Sequence, residues 1–250
     1  MTELNLDRIA SRLEGLEETI IHRLIDRAQW SVNDAAYTPG QSGFAGGEPR
    51  SLFELRLYCH EKMDATFGRF CVPEERPFNT NLPAPQRAVN LPDTGLRIRK
   101  LDSVNLTQPV LDTYRLLLPL ICPAGDDGQY GSSAEHDVYA VQAIARRIHY
   151  GALYVAESKY RADADGYSRL IRENNRDALM EKLTRKGVED KIIVRVKEKV
   201  KNIQGKINKS VRNAVNPEVI ITYYRNFIIP VTKQGQILYL MNREPEQGND

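Results

Sequence analysis

From Ser132 to Tyr160 the chain reads SSAEHDVYAVQAIARRIHYGALYVAESKY, a stretch that has to fold as one long helix. Val138, Val141, Ile144, Ile148 and Val155 recur at spacings of 3, 3, 4 and 7, which is the period of a helix with a buried stripe. Arg147 and Lys159 fall within that stripe rather than at its ends. Burying a charge is costly unless it is paired, so both cations need anionic partners, either carboxylates of the chain or a bound anion. The run Ser132-Ser-Ala-Glu135 fits a capping box at the start of this helix.

The rest of the chain supplies helices to pack around it. Leu6, Ile9, Leu13, Leu16, Ile20, Leu24 and Ile25 step by three and four, predicting a helix over about 4–33 whose polar face carries Arg8, Arg12, Glu14, Glu17 and Glu18. Residues 34–50 are Gly- and Pro-rich and predict a loop, followed by a helix over about 51–70. A Pro-rich segment, 72–102, cannot hold a long helix and is expected to wrap the surface. A helix over 110–122 stops at Pro123. Beyond Tyr160, shorter helices are expected over 164–173, 176–184 and 188–203. The last one, from Pro217 to about Arg243, should end or kink at Pro230. Residues 246–250 read as a frayed tail. No segment reads convincingly as a strand, so the class is all-α, a single-domain bundle over about 1–245.

At net charge +2 over 250 residues, the composition gives no general reason to expect nucleic-acid or membrane binding. The eleven Lys and Arg of 182–212 face only three acids, but lack the interleaved aromatics of a nucleic-acid surface. No apolar run approaches the ~20 residues needed to span a bilayer. The N-terminus lacks a signal-peptide pattern. Cys59, Cys71 and Cys122 have no metal-ligand spacing and read as reduced core thiols of a cytosolic protein. There is no Gly-rich phosphate loop, HExxH, CxxC or GxSxG. The four histidines are scattered, and His149 reads as a packing residue. Chemistry by positioned charges and hydrogen bonds is what remains.

Five blocks in order carry a resemblance. They are LDRIASRLEGLEETIIHRLIDRAQW, GRFCVPEERPFN (68–79), GDDGQYGSSA (125–134) with ARRIHYGALYVAESKY (145–160), LTRKGVEDKI (183–192) and IIPVTKQGQILYLMNR (228–243). Over some 230 residues the chain resembles the eukaryotic-type, all-helical chorismate mutases of fungi and plants. The resemblance implies a helical homodimer that converts the dianion chorismate to prephenate by an intramolecular rearrangement, with no cofactor; the absent motifs add the expectation of no metal, and the cysteines and N-terminus that of a cytoplasmic location. It implies that Arg147 grips a substrate carboxylate, Lys159 and Gln236 donate to the ether oxygen, and Glu189 contacts the hydroxyl. Thr232 and Arg185 would line the substrate site. Fungal members have at position 236 a glutamate that must be protonated to donate, whereas an amide donates at any pH. Aromatic amino acids often regulate such enzymes, and Arg69, Gly131 and Ser132 match that effector region.

The chain departs from the family pattern in three places. Ala10 stands in the slot of an arginine for a substrate carboxylate, and Arg8 and Arg12 lie about 200° around the helix from it. Arg185-Lys186-Gly187 replaces a neutral run, and Arg185 could supply the missing cation. One extra residue lies in Gly151-Ala-Leu-Tyr-Val155, so that a regular helix would carry Lys159 about 100° out of the site. A π-bulge near Gly151 would restore the alignment. The alternative is an impaired paralogue that keeps the fold as a binding or regulatory module.

Overall fold

The computed structural model describes residues 4–245, so the expected frayed tail at 246–250 lies outside the described residues. The long helix forms as its periodicity predicts: α4 (Tyr130–Tyr150), a π-helical turn (Gly151–Val155) and α5 (Ala156–Ala162) run as one rod through the middle of the bundle. Val138, Val141, Ile144 and Ile148 are fully buried along it. The capping box expected at Ser132 and Glu135 does not form. The helix begins two residues earlier, Gln129 caps it without a side-chain bond, and Glu135 instead pairs with Arg56 at 2.7 Å. A capping box does form at Ser51 and Glu54, opening α2 (Leu52–Thr66).

Helix α1 (Leu6–Arg27) packs along α4, its start capped by Asn5, whose side chain accepts from Asp7 N at 2.7 Å. It stops at Arg27 rather than running on to Asn33, and the reason is Arg27 itself. This fully buried guanidinium donates to the carbonyls of Trp30, Ser31 and Val32, so the following residues curl around it. It also binds Asp137 at 2.6 Å, and Tyr37 and Tyr114 donate to the same carboxylate. Every polar group here meets a partner, as a buried charge requires.

Helix α2 ends where Gly68 takes φ +81°, and the Pro-rich segment then wraps the surface as expected. Buried Glu61 fixes its first turn by accepting from the backbone N–H groups of Phe78 and Asn79. Helix α3 (Thr107–Ile121) follows. His149 is fully buried and meets the start of α3. Its Nε2 accepts from Leu106 N at 2.9 Å, so Nδ1 carries the proton toward the Ala145 carbonyl at 2.7 Å. Burial lowers this imidazole to about 4.

After α5 come α6 (Ala164–Arg172), α7 (Arg176–Leu183) and α8 (Lys186–Gln204). Several cations of the basic run are paired: Arg195 with Glu14 and Glu17, Lys197 with Glu218, Lys199 with Glu18, and Arg212 with Asp26. The final element is α9 (Pro217–Tyr223), a second π turn (Tyr224–Ile228) and α10 (Ile229–Met241). Pro230 does not end it. The missing N–H and the ring clash fall beside the widened π turn, where the i→i−4 ladder is already interrupted. Among the described residues the only β pairing is an isolated bridge between Ile98 and Arg243. Cys122 is buried, but Cys59 and Cys71 are exposed, against the expectation of three core thiols. Among the described residues no helix is long and apolar enough to cross a membrane.

Candidate functional site

The π turn decides where Lys159 points. Twelve residues at about 100° each would leave it well off the face of Arg147. The wider turn at Gly151–Val155 takes up the extra residue, and Arg147, Gly151, Val155 and Lys159 line one cleft of about 240 Å³. The sequence locates the turn through Gly151. A Cβ there would lie 2.7 Å from Thr232 Cγ2 and 3.1 Å from the Arg147 guanidinium. The rod and α10 are equally close at Gly235, where a Cβ would come within 2.6 Å of Ala152.

The other candidate residues, Arg185, Glu189, Thr232 and Gln236, line the same cleft from α8 and α10. Leu6, Ile9, Ala10 and Leu13 of α1 form its apolar wall, with Ala10 facing it where no cation is offered. Arg147 is 97% buried, and its one ion pair, to Glu17, is long at 3.7 Å. Its Nε has no hydrogen-bond partner among the described residues, nor does Gln236 Oε1. Gln236 Nε2 donates to the Gly151 carbonyl at 3.2 Å, which ties the amide to the π turn and leaves its second N–H. Thr232 Oγ1 donates back to Ile228 O.

Lys159 donates to the Leu183 carbonyl at 2.7 Å and has no carboxylate within salt-bridge range among the described residues. Burial, then neighbouring Arg185, lowers its ammonium to about 8, with Glu189 opposing and Lys233 adding to the fall. Glu189 is held by Lys233 at 2.9 Å. Arg185 is exposed and makes no ion pair among the described residues. The cleft therefore holds more cations than its carboxylates neutralise, and a small dianion would correct that balance.

Sequence reasoning assigned Glu17 to the polar face of α1, but the structure buries it completely. Arg195 grips it at 2.8 Å, while Arg147 and Lys199 lie 3.7 Å away. The signal was present: Glu17 lies four residues after Leu13 and three before Ile20, within the apolar stripe. The hydroxyl of Tyr224, in the second π turn, is buried with no hydrogen-bond partner among the described residues and near enough to Arg147 and Glu17 to feel both charges.

The expected effector residues lie apart from this cleft. Arg69 is tied to Asp64 at 2.7 Å, to Glu75 at 3.0 Å and to Gln142 at 2.7 Å. Gly131 is exposed and Ser132 half-buried in the first turn of α4. Among the described residues no group of His, Cys, Asp and Glu is arranged to hold a metal.

An all-helical bundle with a cation-rich apolar cleft defines a class: a small-anion site built without cofactor-binding motifs. Comparison with known proteins gives the family. The chain is 36% identical to chorismate mutase 2 of Petunia hybrida over 96% of its own length and 94% of the relative's. It is 32% identical to the chorismate mutase of Trichoderma parareesei, over 96% and 93%. Among solved structures it matches a Candida albicans chorismate mutase in complex with L-Trp, with TM-score 0.88, 30% identity, and 96% and 92% of the two chains covered. It also matches the chloroplast chorismate mutase of Zea mays at TM-score 0.83 and 36% identity, over 95% and 94%. No family model matches the chain. The chain belongs to the plant and fungal chorismate mutases, an all-helical family of isomerases.

Proposed function

We propose that the cleft rearranges chorismate to prephenate, and that Arg147, Lys159, Glu189 and Gln236 carry the reaction. The observation that supports this most directly is a buried, under-paired guanidinium sharing one small cavity with a desolvated ammonium. Arg147 holds one carboxylate of the folded substrate. Arg185, exposed at the rim and without an ion pair among the described residues, takes the second in place of the cation absent at Ala10. Lys159 and the free N–H of Gln236 meet the ether oxygen, where negative charge grows as the C–O bond breaks. Glu189 accepts from the hydroxyl, and Thr232 packs beside the ring. The apolar wall of α1 selects the compact conformer, in which the two carbons that join already lie close. The reaction needs no nucleophile and no net proton transfer, so positioned charges suffice.

Chorismate absorbance followed on adding protein is the test. Steady loss with wild type, abolished in Arg147→Ala and Lys159→Met variants that remain folded, supports the assignment. Loss unaffected by either substitution would place the chemistry elsewhere, and no loss with wild type would leave a binding module. Relatives with full-length similarity are named as the enzyme, which does not favour that last reading.

The proposal extends to a homodimer, to which exposed Met63 on α2 and Phe67 just past its end offer apolar surface, with light scattering as its test. One solved relative carries phenylalanine in an allosteric site. Here an aromatic amino acid would bind near Arg69, Gly131 and Ser132, its carboxylate exchanging with Asp64 or Glu75 for the Arg69 guanidinium. Relatives are named from both chloroplast and cytosol. The cytosol is proposed for this chain because its cysteines are free thiols.

A further inference from the structure

A second cavity lies on the other side of α1. It is a groove of about 770 Å³ between the outer face of that helix, residues 92–94 and the outer face of the central rod. Arg146, Tyr150 and Tyr154 form its rod side, a stripe at four-residue steps next to the Arg147–Gly151–Val155 stripe that lines the cleft. Arg8 and Arg12 form the opposite side, one helical turn apart and about 200° around α1 from Ala10, so they face away from the cleft.

The charges of this groove are uneven. Arg146 is answered by Glu75 at 3.0 Å and Glu74 at 3.6 Å, and Tyr154 donates to Glu74. Arg8 and Arg12 have no ion pair among the described residues. Gly15 leaves the floor open, with no atom within 4 Å of where its Cβ would be. The Tyr150 and Tyr154 rings lie 4.5 Å apart, tilted by 31°, and half-buried Tyr150 lines the groove together with the two arginines. Burial raises the Tyr150 hydroxyl, Glu74 adds to that, and Arg12, Arg8 and Arg146 oppose it, so all three cations act at this ring.

We infer that this groove is a second binding site, for a small aromatic carboxylate whose anionic group lies between Arg8 and Arg12 and whose ring stacks on Tyr150. Paired guanidiniums match the fork of a carboxylate, and a tyrosine face favours an offset aromatic ring. The site is separate from the cleft, because only Ile9 of α1 reaches both cavities. It adjoins the π turn through Tyr154, so a ligand here touches the segment that aligns Lys159 with Arg147.

The test is calorimetric titration of the full chain with phenylpyruvate, and separately with inorganic phosphate. The Arg8→Gln/Arg12→Gln double variant should weaken phenylpyruvate binding by about tenfold or more, as loss of charge-assisted bonds predicts. Tyr150→Ala should weaken phenylpyruvate but not phosphate. Lys159→Met, which alters only the cleft, should leave phenylpyruvate binding intact. Both groove variants carry exposed or half-exposed changes, and their melting curves check folding. Binding that survives the double variant but falls with Lys159→Met would place the ligand in the cleft and overturn the inference. Equal response of phosphate and phenylpyruvate to Tyr150→Ala would overturn the ring contact.

Discussion

The long central rod meets one buried arginine in its first third and carries another at its middle, and the two are opposites. Near its start, Arg27 of α1 meets Asp137, Tyr37 and three backbone carbonyls, in a hub closed to solvent. Past its middle, Arg147 has one ion pair at 3.7 Å and an Nε with no partner among the described residues. Both are cations in apolar surroundings, so sequence alone treats them alike. Completeness of pairing separates them: the finished network holds the fold, and the unfinished one is shaped for something that arrives later.

The sharpest way to break that contrast is to truncate each arginine. Arg27→Ala strands Asp137 in the core and should cost about 3–5 kcal/mol of stability, seen as a large drop in melting temperature. Arg147→Ala should melt close to wild type yet lose roughly a thousandfold in kcat/KM, on the scale of a buried charge contact to substrate. Equal melting losses for both would erase the distinction.

A smaller effect follows from Lys159. Its ammonium titrates near 8 in the free protein, so kcat/KM should fall about tenfold per pH unit above that point. Between pH 5 and 8 the rate should stay nearly flat, since the Gln236 amide donates at any pH. A steep loss above pH 6 would remove Gln236 from the ether oxygen.

Smaller again, Ala10→Arg adds a cation to the open wall of the cleft and should raise kcat/KM by about tenfold, mainly through KM. No gain would mean that Arg185 already serves the second carboxylate. The mildest effect belongs to His149, buried in its neutral form. Its lowered pKa of about 4 means that the unfolded chain binds the extra proton first as pH falls below the unperturbed value. Stability contributed by this site should therefore be complete above pH ~6.5 and decline toward pH 4, and His149→Gln should flatten that decline in denaturant melts.

Much of this was readable before any coordinates. Apolar periodicity marked the long helices, and the residue count from Arg147 to Lys159 left either a bulge near Gly151 or a misaligned site, between which the π turn decides. Where reading failed, tertiary partners had overridden local signals. Ser132 and Glu135 look like a cap, yet Glu135 is drawn to Arg56 across the bundle. The α1 periodicity gives no hint that Arg27 will gather the next carbonyls and end the helix. Glu17 lay within a visible stripe, but its charge disguised a buried position. The second groove was not legible at all, because its arginines and tyrosines come from segments more than a hundred residues apart and only packing places them together.

The supernumerary residue in the rod was accommodated by a neighbour rather than by the rod alone. At position 235 of α10 a Cβ would lie 2.5 Å from Leu106 Cδ1 and 2.6 Å from Ala152 Cβ, so the rod comes this close only where α10 has no side chain. Gly235→Ala should therefore lower the melting temperature, and Ala152→Gly in the same chain should restore only the part of the loss owed to that contact, since Leu106 still meets the added methyl.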